Sequence, residues 1–267
     1  MKKTLFLIGI VLVGMLFFAF SCEEETTDDG SNNGGPVVVI PDNTIPDNNK
    51  SDDNQSDDNN NDNNQSENNN DNNMNDNNTG VEGFAEAEIA KANTAAGISS
   101  LTQMEKDIIL YCNLARLDGT KFWAAYGDQA TGSSAYVSSL VTDLKAISGL
   151  AMLEPEKSLM DAAAYHANDM SINNFFEHTS SDGTSFGDRV YGFYDGNAIA
   201  ENISAGKNTA LGVVLQLLVD DGVSSLGHRK NILSSKYKAI GVKTVTHKTW
   251  RTVTVQDFGD QVITKMQ

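Results

Sequence analysis

Cysteine is almost absent from this 267-residue chain, which has two, Cys22 and Cys112. A framework of internal disulfides is therefore not what stabilises it. Basic residues are scarce too, 19 Lys and Arg against 36 Asp and Glu, with no basic run interleaved with aromatics. That argues against nucleic acid as a partner. There is no His-Glu-x-x-His and no Gly-x-Ser-x-Gly, so the zinc-protease helix and the serine-hydrolase elbow are both missing. Between Pro46 and Met74, where Asp and Asn dominate, there is no glycine. A calcium loop needs one for its sharp turn, together with a fixed ligand register.

What is present divides the chain into parts. Lys2 and Lys3 precede an uncharged apolar run from Leu5 to Phe20, and Ser21 is small. Residues 1–21 read as a secretory signal peptide; the run is slightly short for a membrane-spanning helix. Ala19-Phe20-Ser21-Cys22 resembles a bacterial lipobox, which makes Cys22 the expected acylation site and the membrane the expected partner. A bulky Phe20 and an Ala where Leu is common depart from the usual pattern. Residues 22–80 form an acidic Asn/Asp-rich segment; positions 23–80 carry 15 acidic residues and one Lys. Apart from Val37-Val38-Val39-Ile40 the segment has almost nothing to bury, so it is expected to be a disordered tether. Residues 81–100 link it to a domain over 101–267, long enough for its own core and only mildly acidic.

Within that domain the hydrophobic period is helical first and strand-like later. Thr102 and Glu105 form a capping box ahead of Ile108, Ile109, Cys112 and Ala115, with Gly119 placed to stop the helix. Cys112 reads as a small buried hydrophobe on that face. A second helix is expected over 156–172 and a third over 208–219. Ile240, Val242 and Val245, then Val253 and Val255, flank a turn at His247-Lys248 and predict an antiparallel hairpin. Helices followed by strands imply an α+β fold.

His178, Glu201, the Asp220-Asp221 pair and His228 stand out as polar residues flanked by apolar ones, with His178, Glu201 and His228 in loop-like sequence. They lie in "HANDMSINNFFEHTSSDG", "AENISAG" and "LLVDDGVSSLGHRKNIL", with "IGV" and "TVQDFG" following. These motifs, in this order, resemble the bacterial branch of the CAP superfamily, which groups cysteine-rich secretory proteins, antigen 5 and pathogenesis-related-1 proteins. The resemblance covers about residues 102–260. It implies a three-layer α-β-α sandwich with a central antiparallel sheet and a cleft lined by two His and two acidic residues. By motif position these are His178, Glu201, Asp220 and His228. Asp220 is preferred because Asp221-Gly222 looks like a helix end. The family often has Glu there, so the side chain is shorter.

Three chemistries are open to this set. His178, His228 and Glu201 could hold a divalent cation, Zn²⁺ or Ca²⁺/Mg²⁺. The four could be a hydrogen-bonded network that ties loops to the sheet. Or His178, Glu201 and His228 could act as an acid–base set in a metal-assisted hydrolase or protease. His166 reads as a packed helix histidine near the cleft, and Asn113 and Arg116 as ties between the first helix and a neighbouring loop. The leading expectation is a lipid-anchored, extracytoplasmic binding module of the cell envelope for a lipid, sterol, glycan or protein. The alternatives are a hydrolase and a surface protein whose tether lifts it through a surface layer.

Overall fold

The computed structural model describes residues 20–25 and 81–266. The expected signal peptide, except for its last two positions, and the expected tether, except for its first four, lie outside the described residues. A short helix, α1 (Glu86–Ala92), precedes α2 (Gln103–Leu117). The capping box forms as expected. Glu105 N–H donates to Thr102 Oγ1 at 3.3 Å, and Thr102 N–H donates to Glu105 Oε2 at 2.9 Å. Gly119 does not stop the helix. Asp118 does, serving as its C-cap and as the N-cap of α3 (Gly119–Tyr126). Gly119 is required instead by close approach, because a Cβ there would lie 2.2 Å from the carbonyl oxygen of Leu144 in α4 (Ser134–Lys145).

The five-stranded sheet has the order β1 (Phe20–Glu25), β3 (Ala198–Ala205), β5 (Arg251–Gly259), β4 (Ala239–His247), β2 (Glu154–Pro155). It is antiparallel except for the two-residue parallel pairing of β2 with β4. The predicted hairpin is β4–β5, with His247 opposite Arg251 at its end. The expected second and third helices are α5 (Lys157–Asn173) and α7 (Ala210–Val219). α8 (Gly227–Leu233) lies where the sequence around His228 reads as loop, and α6 (Phe186–Tyr191) is a further helix between α5 and β3.

Strand periodicity sorts side chains between two helical layers. Ile203, Val253 and Val255 pack with Ala163, Ala167 and Met170 of α5. Ile199 and Ala239 pack with Leu159 of α5 and with Phe186 and Val190 of α6. The alternate positions Ala198, Ala200, Ile240, Val242 and Phe258 join the core of α2, α7 and α8 on the other face. The result is an α+β sandwich of three layers. Every described side chain of β3 is buried, because each faces a helical layer.

Arg116, at the end of α2, is buried and holds the irregular segments around this sandwich. It donates to the carbonyl oxygens of Ala151, Ile232, Ser234 and Tyr237 at 2.7–2.9 Å. Asn113 one turn earlier pairs with Leu153 in both directions, at 2.7 and 3.0 Å. Both residues act as the ties the sequence suggested. Arg116→Ala removes the donor from four carbonyls, those of Ile232 and Tyr237 being buried, and should cost about 3 kcal/mol or more. Equilibrium urea unfolding measures this; an unchanged midpoint and slope would contradict the assignment.

Candidate functional site

Glu201 sits at the centre of β3, on the face turned to α5 and α6 between Ile199 and Ile203. The sequence around it reads as a loop because one charged and two polar side chains interrupt a short apolar run. Its carboxylate is fully buried, and nitrogen groups approach both of its oxygens. Arg189 of α6 lies 2.6 Å from Oε2 with both side chains essentially inaccessible. His178 Nδ1 lies 2.6 Å from Oε1. His166 Nε2 of α5 approaches Oε1 at 4.0 Å. Arg189 also donates to the carbonyl of His178 at 2.7 Å and to Ser180 Oγ at 3.0 Å. One guanidinium therefore fixes both the carboxylate and the loop that carries His178.

The charges are matched by position. Burial alone would raise the Glu201 pKa, but Arg189, the His178 hydrogen bond and His166 overcome it and hold the carboxyl well below the usual range. Asp257 is the direct Cα partner of Glu201 across the β3–β5 ladder. Directly opposed residues share a face, so a second carboxyl is buried against the first. Burial and the Glu201 charge push Asp257 well above the carboxylate range, with Arg189 opposing. The two are driven apart: Glu201 gives up its proton more readily than usual and Asp257 less readily. His166 is pushed down to about 4, chiefly by burial. Its Nε2 lies 2.8 Å from the Glu177 carbonyl, which can only accept, so Nε2 carries the hydrogen of the neutral ring.

The other pair lies on the opposite side of β3. The side chain of Asn202, next to Glu201 and therefore facing the other layer, donates to the carbonyl of His228 at 3.2 Å. His228 is in α8 and not in a loop; its Nδ1 lies 2.5 Å from Asp220 Oδ1, and both are buried. Asp220 is the left-handed C-cap of α7, and its other oxygen accepts from the Arg229 amide at 3.2 Å. Asp221 instead accepts from Ser133 N–H and Oγ on the surface. The structure thus brings His178 to Glu201 and Asp220 to His228, as two pairs. Among the described residues no three His, Cys, Asp or Glu come together in a metal-holding arrangement. Glu201 is paired with Arg189 and His178.

Two members of the site went unread in the sequence. Arg189 lies in "SFGDRVY", where nothing marks it as buried. Asp257 lies in the quoted "TVQDFG", but its role emerges only once strand register sets it against Glu201. His228 Nε2 and Arg189 Nε are buried with no hydrogen-bond partner among the described residues.

Two outcomes follow from this arrangement. Glu201→Gln leaves the Arg189 charge buried and uncompensated and should cost about 3–5 kcal/mol. Asp257→Asn replaces a group already neutral and should be tolerated, becoming stabilising relative to wild type as pH rises. Denaturant unfolding of both variants at pH 7 checks this, and equal losses would contradict the separation of the two carboxyls. His166 binds its proton less readily folded than unfolded, so its contribution is complete above pH 6.5 and is lost as pH falls toward about 4. The difference in melting temperature between wild type and His166→Asn should therefore shrink across that window. A pH-independent difference would contradict it.

The family model described as the cysteine-rich secretory protein (CAP) family matches residues 111–258. An uncharacterized membrane protein of Bacillus subtilis (strain 168), YlbC, is 34% identical over 113 residues. That match spans 42% of this chain and 31% of the relative, so the chain corresponds to less than a third of that protein's length. Among solved structures, an extracellular Bacillus anthracis protein containing an SCP domain is 22% identical, with a TM-score of 0.37, covering 60% of this chain and 44% of that one. An outer surface protein of Borrelia burgdorferi is 21% identical, with a TM-score of 0.36, covering 50% of this chain and 90% of that one. With more than half of its length matched by the family model, and with the three-layer α+β architecture on which the motifs converge, this chain belongs to the cysteine-rich secretory protein, or CAP, family.

Proposed function

We propose that this protein is a non-catalytic binding module of the cell envelope, held at the membrane through an acyl group on Cys22. Its recognition site is the region around His178, Glu201, Asp220 and His228, and its ligand is a lipid, sterol, glycan or protein. The observation that carries this reading is the ion pair between Arg189 and Glu201. A general base must accept a proton near the working pH. A carboxylate held far below its usual range by an adjacent guanidinium is a weak base, but a rigid anchor for the loop that presents His178. Each imidazole is oriented through Nδ1 by a carboxylate, which fixes the ring's position and its tautomer. The envelope location is supported by the likeness to a Bacillus subtilis membrane protein.

The rival reading is a hydrolase, with Glu201 as base and His178 or His228 activating water, with or without a divalent cation. A peptide library incubated with the purified protein separates the two. The binding reading predicts no cleavage by the wild-type protein. It also predicts retention of a component from a total envelope lipid and glycan extract, detected by mass spectrometry and lost in His178→Ala. Peptide cleavage that disappears in Glu201→Ala would overturn it in favour of the hydrolase.

A further inference from the structure

β3 lies between β5 and β1 in the sheet. Edge strands are commonly short, or carry Lys or Pro that deter further pairing. β3, Ala-Ile-Ala-Glu-Asn-Ile-Ser-Ala, is eight residues long, has neither, and is buried with β1 in place. The ladder alternation shows which amides need a partner. Gly206 N–H donates to the Thr252 carbonyl at 2.9 Å, in register with Ala205 opposite Val253. Ser204, Asn202 and Ala200 therefore turn their backbone groups toward β5, and Ile203, Glu201 and Ile199 turn theirs outward. Buried amides of that kind need a hydrogen-bond partner. The segment Phe20–Glu25 supplies it as β1, antiparallel, with Phe20 opposite Ile203, Cys22 opposite Glu201 and Glu24 opposite Ile199. β1 also packs against α8, the helix that carries His228.

We propose that the outer edge of β3 is a strand-acceptor groove which the chain's own segment Cys22–Glu25, the part of β1 that remains after cleavage before Cys22, fills, so that the candidate site is covered from its sheet edge by the residues around Cys22. The recognition is by main-chain pairing, the mode used wherever an extended segment extends a sheet. It does not depend on which ligand the neighbouring site takes. A ligand entering from the β3 edge must first displace β1. Removing β1 would uncover Glu201 on β3 and the flank of α8 together.

Register supplies a test with an internal control. The amides of Cys22 and Glu24 face β3, whereas that of Glu23 faces away. Proline removes a donor and is tolerated where the amide points outward from an edge. Hydrogen exchange is measured on the full chain in detergent micelles, with the β5 amides of Val253 and Val255 reporting that the sheet is intact. The expected result is protection of Ile199, Glu201 and Ile203 in wild type, a loss of tenfold or more in Glu24→Pro, and retention in Glu23→Pro. Both substitutions lie within residues that persist if the chain is cleaved before Cys22. A synthetic peptide of residues 20–25, added to the Glu24→Pro protein, should restore protection. Exchange at the β3 edge that is equally fast in wild type and Glu24→Pro would overturn the proposal. So would equal loss in the two proline variants, or no recovery at millimolar peptide.

Discussion

A buried carboxylate on β3, between β1 and β5, sets the terms for everything around it. Moving Glu201 out of water is costly, and the cost is met only if compensating charge and hydrogen bonds arrive from several directions. They come from two separate elements. Arg189 arrives from α6 and His178 from the loop after α5. Removing either contact leaves a polar group buried without its partner. The loop carrying His178 is held in place by Arg189 through the His178 carbonyl and Ser180, so the same guanidinium that neutralises Glu201 shapes the candidate recognition surface.

Asp257 completes the arrangement from the next strand. Directly opposed positions on a ladder have their side chains on one face, at the closest approach that a sheet allows. Two ionised carboxyls there would repel each other in a region that water cannot screen. The protein resolves this by holding one carboxyl below its ordinary range beside Arg189 and raising the other above it. On the far side of β3 the same economy takes a second form, with the buried His228 oriented by Asp220 and its helix linked to β3 through Asn202. β3 is thus the spine from which both histidine–carboxylate pairs are arranged, with β5 on one side and β1 on the other.

Features that depend on local sequence are legible in the chain itself. The Thr102–Glu105 box, the apolar face of α5 and the β-branched runs of the hairpin each carry their signal within a dozen residues, and each element is found where expected. Features that depend on register or on distant partners are not legible in this way. β3 has a charged residue in the middle of a short apolar run, so its two-residue period is broken and it reads as a loop. α8 is one short helix entered through Leu226 in a left-handed conformation, with no side-chain cap to announce it. Gly119 looks like a helix stop, and its real requirement, a carbonyl from α4 pressed against it, comes from packing alone. The four polar candidates can be picked out by their neighbours. That they form two pairs, one on each side of the strand, follows only from the alternation of Glu201 and Asn202.

The account rests on where the proton resides in the Glu201–Asp257 pair. Carboxyl-carbon NMR of the protein labelled at Glu and Asp, titrated from pH 7 to pH 4, measures this directly. Glu201 should show the chemical shift of an ionised carboxylate throughout, and Asp257 that of a protonated acid at the start of the titration. A Glu201 signal that titrates at or above the ordinary range of about 4.3, or an Asp257 signal already ionised at pH 5, would contradict the account.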